Sequence, residues 1–254
     1  MVFFFVLPAG CRFGDRSRLF ARALAPARAT YRSYGLGVET VGRGDLWLDG
    51  RKILGSGAAT INRANVLGAS FLLSFPAKRF AALLRCPSAG YRRWLEEELD
   101  NAMTAWSDHA SSPPAEGLAR CFQRHVEAEF GWRLRPDTMT DSEHEASAAA
   151  ITDVEDVSDG PRQPFVPGGV KLNHHCFLLE GSGAIGWARL VLRHGRIGRI
   201  ALSHAQLAEP LVGQLPNAEI LKPILAGRAG SAEAAEWAGF IERLARPARS
   251  GWDE

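Results

Sequence analysis

Lysine is scarce in this 254-residue chain: it occurs four times, at Lys52, Lys78, Lys171 and Lys222, whereas arginine occurs 26 times. An arginine-rich codon usage is enough to produce such a ratio. The scarcity still directs attention to each lysine, because a lysine amine is a compact cation that arginine does not replace chemically.

Cysteine is also sparse: Cys11, Cys86, Cys121 and Cys176 are far apart and form no C-x-x-C pair. This spacing argues against a structural zinc site and against a dense disulfide framework. We therefore expect reduced thiols in a cytoplasmic protein.

Long hydrophobic runs are absent as well. No stretch approaches the roughly 20 apolar residues that a membrane helix needs. The apolar start, Val2 to Leu7, has no positively charged residue before it and is too short for a signal peptide. We interpret it as a buried strand, and we expect no membrane contact.

Positive charge is missing from residues 137–160, which contain eight acidic residues and no lysine or arginine. A segment this polar buries too little apolar area to order itself, so its composition predicts a flexible linker. We place a first domain at residues 1–133, the linker at 134–168 and a small second domain at 169–247. Outside residues 137–160 there are 30 basic and 20 acidic residues. This surplus suits an anionic ligand or an acidic protein partner, and equally a solvated arginine-rich surface.

Hydrophobic periodicity predicts an α+β fold. A helix is expected over residues 15–34, either kinked at Pro26 or divided there into two shorter helices. Strands follow at 38–41, 45–48, 52–54 and 66–75, and helices continue up to residue 130. After the linker, strands at 170–180, 187–193 and 196–202 precede two helices. Asp49-Gly50 lies between two of the early strands, and this dipeptide is preferred in tight hairpin turns.

The hairpin of residues 43–57 is the most informative segment for function. A tight turn fixes Lys52 on a strand, where its amine can face a phosphate or a developing oxyanion. Gly55, Ser56 and Gly57 follow, and glycines let a ligand approach the backbone and its N–H donors. Asp45, one strand earlier, could hold a magnesium ion or a ribose hydroxyl. Asp-Gly-Arg-Lys is also a common exposed turn, so the hairpin alone leaves both interpretations open.

The longer pattern resembles the lipoate–protein ligases of the biotin/lipoate A/B protein ligase superfamily. The resemblance is carried by Arg43-Gly44-Asp45, by Gly50-Arg51-Lys52-Ile53-Leu54-Gly55 and by Ala69-Ser70-Phe71-Leu72-Leu73. It covers roughly residues 2–130, and residues 168–246 are similar to the accessory domain of that family. It implies a class II synthetase-like or biotin–lipoate ligase-like fold, with a mixed or antiparallel sheet and helices followed by a small α+β domain.

The resemblance also implies a two-step reaction. ATP, with Mg²⁺, activates lipoate or octanoate as an acyl-adenylate, and a lysine of a lipoyl-domain acceptor attacks it. Lys52 would contact the acyl carbonyl and the phosphate, favouring charge that develops on oxygen. Asp45 would bind the nucleotide or metal. The remaining implied residues would line the acyl and phosphate pocket (Gly55, Ser56, Gly57) and border the adenosine (Ala69, Ser70), and no metal-binding set of the protein's own is expected.

The chain also departs from the family pattern. The family carries an Arg-Arg-x-Ser/Thr-Gly-Gly segment before the strand equivalent to Val2–Leu7, and this sequence begins at that strand. Gly44 stands at the family's Asn, and Gly68-Ala69-Ser70 at its His-Gly-Ser/Thr. Three explanations compete: a start codon placed too late, a partner chain that supplies the missing segment, or a non-catalytic truncated homologue that binds a lipoyl domain.

Other residues offer alternatives of a different kind. Cys86 or Cys121 could be the nucleophile of an octanoyltransferase, which would form a thioester instead of an adenylate; a buried thiol is the simpler interpretation of each. His174 and Cys176 could share one face of a strand as metal ligands, but no further ligand at suitable spacing supports them. The tryptophans fit core or interface packing, so we expect no nucleic-acid partner.

Overall fold

The computed structural model describes residues 1–8, 16–61, 63–155, 169–173 and 175–250. Cys11, His174 and residues 156–168 of the expected linker lie outside the described residues. No helix in the described part of the chain is long and apolar enough to cross a membrane.

The first sheet has five antiparallel strands in the order β1-β5-β4-β3-β2. Their bounds are Val2–Pro8 (β1), Glu39–Val41 (β2), Asp45–Leu48 (β3), Arg51–Ile61 (β4) and Ala64–Ser70 (β5). Strand β4 is 11 residues long and changes its partner: its first half pairs with β3 and its second half with β5. The expected tight turn is present, with φ of 50° at Asp49 and 74° at Gly50, as a turn with two left-handed residues requires.

Helices α1 (Arg16–Ser33) and α4 (Ala115–Phe130) pack on one face of this sheet. Strand β1 contributes Phe5 and Leu7 to that core, while Val2, Phe4 and Val6 are 63–66% exposed on the other face. The expectation of a buried strand was therefore wrong for half of its side chains. Because all six residues are apolar, the two-residue alternation of a strand is invisible in the sequence.

Pro26 lies inside one helix, which runs from Arg16 to Ser33, so the alternative of two shorter helices is wrong. Proline lacks the N–H that would bond to the preceding turn. The helix is held instead by its buried face, where Ala23, Leu24, Ala27 and Tyr31 are at most 2% exposed. Packing thus outweighs the missing backbone hydrogen bond.

The second sheet is antiparallel, in the order β6-β7-β8-β9. Its strands are Gly169–Asn173 (β6), Cys176–Gly183 (β7), Gly186–Arg193 (β8) and Arg196–Leu202 (β9). Helices α6 (Ala218–Ala226) and α7 (Ser231–Ser250) cover one face, whereas α2 (Ala77–Leu83) and α3 (Ala89–Ala102) cover the other. The α+β class with antiparallel sheets is confirmed. Because α3 shares a core with β7 and β8, the two parts of the chain are packed together, and the exact domain division stays a prediction.

The acidic segment expected to be a flexible linker contains a helix, α5, from Asp141 to Glu155. Thr140 and Glu143 form its N-terminal cap: the Thr140 N–H donates to Glu143 Oε2 at 2.7 Å, and the Glu143 N–H donates to Thr140 Oγ1 at 3.3 Å. This reciprocal cap and the alanine-rich sequence favour a local helix without a core. Residues 141–150 are all exposed, as the composition suggests.

A substitution at Leu54 tests whether β4 packs in the core of the first sheet. Leu54 is 1% exposed and Leu83, on α2, is 79% exposed. Leu54→Ala should lower the free energy of unfolding by about 2–5 kcal/mol, because it leaves a cavity in a packed core. Leu83→Ala is the matched control and should change it by less than about 0.5 kcal/mol. Denaturant unfolding measures both, and equal losses would contradict the placement of β4.

Candidate functional site

An ion pair lies at the centre of the predicted hairpin. Lys52 Nζ is 2.7 Å from Asp45 Oδ1, and the two side chains are 20% and 8% exposed. Asp45 lies opposite Gly55 in the β3–β4 register. A carboxylate and an ammonium that are largely removed from water are tolerated only when they pair, so each fixes the position of the other.

A β-bulge gives Lys52 its direction. The register shifts between Leu46 and Trp47, so that Leu46 pairs with Leu54 and Trp47 with Lys52, leaving Ile53 as the extra residue. Lys52 and Gly55 are an odd number of residues apart and would point to opposite faces of a regular strand. The bulge brings Lys52 onto the side of Asp45 and Gly55, while Ile53 and Leu54 are both buried.

Glycine is required beneath the lysine. A Cβ on Gly55 would lie 2.8 Å from Lys52 Cε and 2.9 Å from Nζ. The Lys52 side chain thus crosses the backbone of Gly55 on its way to Asp45. Next along the strand, Ser56 Oγ donates to the Gly44 carbonyl at 2.6 Å. A Cβ on Gly44 would lie 2.7 Å from Ser56 Oγ. Glycine at position 44, where the family pattern has asparagine, therefore leaves room for the Ser56 hydroxyl.

A shallow depression of about 660 Å³ opens beside Lys52 on the uncovered face of β1, β5 and β4. Its floor runs across three strands: Phe4 pairs with Gly68, and Gly68 pairs with Gly57. Val6, Val66 and Ala59 form the next row in the same way. The result is a mostly apolar surface with a single ammonium group at one end.

Six of the seven predicted site residues line this depression: Lys52, Gly55, Ser56, Gly57, Ala69 and Ser70. Asp45 stands behind Lys52 as its partner. Ser56 and Ala69 contribute backbone, since the Ser56 hydroxyl is bonded to Gly44 and Ala69 belongs to the core. Gly55, Ser56 and Gly57 lie within β4, and the two glycines, which have no side chains, flatten the floor of the depression.

Val2, Phe4 and Val66 also line the depression, and sequence reasoning missed them. Phe4 covers Gly68, where an added Cβ would lie 2.8 Å from its ring. Reading Val2–Leu7 with a two-residue period, as for a half-exposed strand, would have separated Val2, Phe4 and Val6 from the core residues.

The three cysteines in the described residues, Cys86, Cys121 and Cys176, lie outside this depression. Neither Cys86 nor Cys121 lines the depression beside Lys52. Burial raises the pKa of the Cys86 thiol, which disfavours the nucleophilic thiolate. Burial also raises the pKa of Cys176 to about 12. Within the described residues, no group of three or more His, Cys, Asp or Glu side chains is arranged to hold a metal ion.

Residues 1–127 match the model of the lipoyl protein ligase A/B catalytic domain, which is half of the chain. The chain belongs to this family. No curated protein sequence matches it.

A solved structure of a lipoate–protein ligase shares its fold. A bipartite lipoate protein ligase from Thermoplasma acidophilum, solved in a study that includes its E2 lipoyl domain, is 19% identical with a TM-score of 0.53, over 60% of this chain and 59% of that one. A T. acidophilum protein with bound lipoic acid is 15% identical with a TM-score of 0.49, over 60% of each chain. Lipoate–protein ligase A with bound ATP is 18% identical with a TM-score of 0.47, over 60% of each chain. The chain thus spans about three fifths of the length of these structures.

Gly55 and Gly57 provide a matched test of the ion pair. Gly55→Ala would displace Lys52 and leave the 8% exposed Asp45 side chain unpaired, which should lower the free energy of unfolding by about 1–3 kcal/mol. A Cβ on Gly57 would meet no atom within 4 Å, so Gly57→Ala should be neutral or stabilising. Chemical denaturation compares the two, and equal effects would contradict the placement of Lys52 over Gly55.

Proposed function

We propose that the chain is a lipoate–protein ligase-like enzyme that activates lipoate or octanoate with ATP and transfers the acyl group to a lysine of a lipoyl domain. Membership of the lipoyl protein ligase A/B catalytic-domain family supports the reaction class. The T. acidophilum relative, whose structural study includes its E2 lipoyl domain, supports a lipoyl domain as the acceptor. A cytoplasmic location stays our expectation from the sequence.

One observation carries the proposal: a single, ion-paired lysine stands at the end of an apolar depression. A lipoyl or octanoyl acid has the same polarity, with an apolar chain and one carboxylate. Phe4, Val66 and Ile61 offer apolar contact to the chain, and Lys52 offers N–H donors to the carboxylate end. Such a lysine would stabilise oxyanions more strongly than an exposed one, because it lies partly out of water.

In the first step, an oxygen of the acyl carboxylate attacks the α-phosphorus of ATP. The bond from that phosphorus to the bridging oxygen breaks, and pyrophosphate leaves. In the second step, the acceptor amine attacks the acyl carbonyl, the bond to AMP breaks, and the amine proton passes to solvent. Lys52 would hold the acyl carbonyl and α-phosphate oxygens in both steps, where negative charge increases.

Magnesium would enter with the nucleotide. Asp45 is a single carboxylate that already pairs with Lys52 at 2.7 Å, so it does not form a complete metal site. Mg²⁺ usually binds through one or two carboxylates together with substrate phosphates and water, and these residues fit that mode. Asp45 would then orient Lys52 and contact the hydrated ion or the ribose, while Gly55, Ser56 and Gly57 border the acyl chain and phosphate and Ala69 and Ser70 border the adenosine.

Lipoyl-adenylate formation tests the proposal directly. The purified chain, given lipoate, ATP and Mg²⁺, should form lipoyl-adenylate and release pyrophosphate. Lys52→Ala should slow adenylate formation by about a hundredfold or more, the usual effect of removing an oxyanion donor. Lys78→Ala removes an exposed lysine on α2 and should leave the rate unchanged. A folded chain that forms no adenylate would contradict the claim that this chain alone is a ligase.

A second candidate is a partner-dependent subunit, in which another polypeptide completes the site. Strand β1 lies at the end of the sheet order, so one of its edges is not paired with any described strand. A groove of about 510 Å³ follows this edge from Met1 to Leu7, with Phe122, Trp132 and Leu134 on its far side. Edge N–H and C=O groups that no described strand pairs, beside an apolar groove, favour an extended segment that adds as a strand. The relative from T. acidophilum is described as bipartite.

Hydrogen exchange tests this second candidate. The tagged chain, purified from its native host, should carry a stoichiometric second polypeptide that slows exchange of the β1 amides relative to the chain alone. Removing the second polypeptide should abolish both that protection and adenylate formation. A chain purified alone, with β1 amides that exchange as in the recombinant protein, would contradict partner dependence.

A further inference from the structure

The backbone of Lys52 is held by a segment that follows α3. Strand β5 begins to pair with β4 only at Ser56, so another element must cover β4 at Lys52. Met103 forms a parallel bridge with Lys52, and the Thr104 N–H donates to the Lys52 carbonyl at 2.9 Å. The same segment is joined to the end of β5, where the N–H groups of Trp106 and Ser107 donate to the carbonyls of Leu72 and Leu73.

A side-chain network centred on the buried Thr104 hydroxyl holds this segment in place. Thr104 is 1% exposed, and its hydroxyl donates to Asp108 Oδ2 at 2.9 Å. The Ala105 N–H donates to the same oxygen at 2.9 Å. The second partner of the Thr104 hydroxyl is His109 Nε2, at 2.8 Å. Thr104 thus holds its own segment together while its N–H holds the strand of Lys52.

Hydrogen-bond capacity assigns the proton on His109. The Ala105 N–H lowers the pKa of Asp108, so Asp108 is a carboxylate and can only accept. A threonine hydroxyl has one proton, which it gives to Asp108, and its oxygen can then only accept from His109. His109 therefore carries a proton on Nε2. Its Nδ1 faces Asp49 Oδ2 at 3.7 Å, and Asp49 is the first residue of the turn that leads into β4.

From these contacts we infer that Thr104, Asp108 and His109 form a latch that positions Lys52 for acyl activation. The latch touches the Lys52 strand at two points, the Lys52 carbonyl and the Asp49 turn. These three are positioning residues, and none of them lines the depression beside Lys52. The catalytic meaning of the latch rests on the function proposed above, but its mechanical effect on Lys52 does not.

The four lysines of the chain make a direct test possible. Limited acetylation with an N-hydroxysuccinimide ester, followed by mass spectrometry, gives the labelling rate of every lysine in one sample. In the wild type, Lys52 should react more slowly than the exposed Lys78 and Lys222, because it is 20% exposed and bonded to Asp45. Thr104→Val keeps the side-chain shape and removes the hydroxyl, and it should raise the Lys52 rate several-fold. The rates of the other lysines should not change.

Two control variants separate positioning from general loosening. Thr104→Ser restores a hydroxyl and should return the Lys52 rate to that of the wild type. Thr60 lies on β4, as Lys52 does, and its exposed hydroxyl donates to Asn65 Oδ1 at 3.0 Å. Thr60→Val removes that hydroxyl and should leave the labelling rate of Lys52 unchanged. An unchanged Lys52 rate in Thr104→Val would overturn the latch. A joint rise in the labelling rates of all four lysines would also overturn it, because the hydroxyl would then act through global stability. A failure of Thr104→Ser to restore the wild-type rate at Lys52 would overturn it as well.

Adenylation kinetics give the second readout. Thr104→Val should lower kcat about tenfold with little change in KM for ATP, since a misplaced amine weakens transition-state contacts more than ground-state binding. A rise in KM for ATP with constant kcat would overturn the positioning role. If the wild-type chain forms no adenylate, the proposed function fails while the labelling experiment still decides the latch.

Discussion

The ion pair between Lys52 and Asp45 is the constraint around which the first sheet is arranged. Both side chains are largely removed from water, and neither charge is tolerated there alone. Two local features accompany it: the bulge at Ile53 that turns Lys52 toward Asp45, and the side-chain-free position at Gly55. The same pair leaves the lysine amine at the edge of an apolar surface. This combination of one cation and an apolar surface suits the proposed substrate, an acid with a hydrocarbon chain.

The second sheet is connected to this site through α3. One side of α3 packs with the second sheet, where the Tyr91 hydroxyl donates to the Leu178 carbonyl at 3.1 Å and Glu98 pairs with Arg193. The chain that leaves α3 then forms the Met103–Thr104 contact with Lys52. Helix α3 and the two residues that follow it thus connect the second sheet to the strand that carries Lys52.

The sequence was sufficient for the α+β class, the Asp49-Gly50 hairpin and six residues that line the depression, because turn chemistry and a family pattern are local. It was insufficient where the cause is non-local. The bulge at Ile53 depends on which residues β3 can accommodate, and the exposed face of β1 is hidden by a uniformly apolar strand. The contact from Thr104 to Lys52 joins residues that are far apart in the chain, and no spacing rule reaches that far. The prediction failed in the opposite way at helix α5: the overall composition of the segment indicated a flexible linker, although a local N-terminal cap favours a helix.

Binding of a non-hydrolysable lipoyl-adenylate mimic, an acyl sulfamate of adenosine, tests the central claim most directly because it needs no turnover. Calorimetric titration of the chain should give one site, and Lys52→Ala should weaken it about tenfold or more, as expected for a charged hydrogen bond of about 1.5–3 kcal/mol. Lys78→Ala should bind like the wild type. Binding that is equally strong with and without the Lys52 amine would contradict the account.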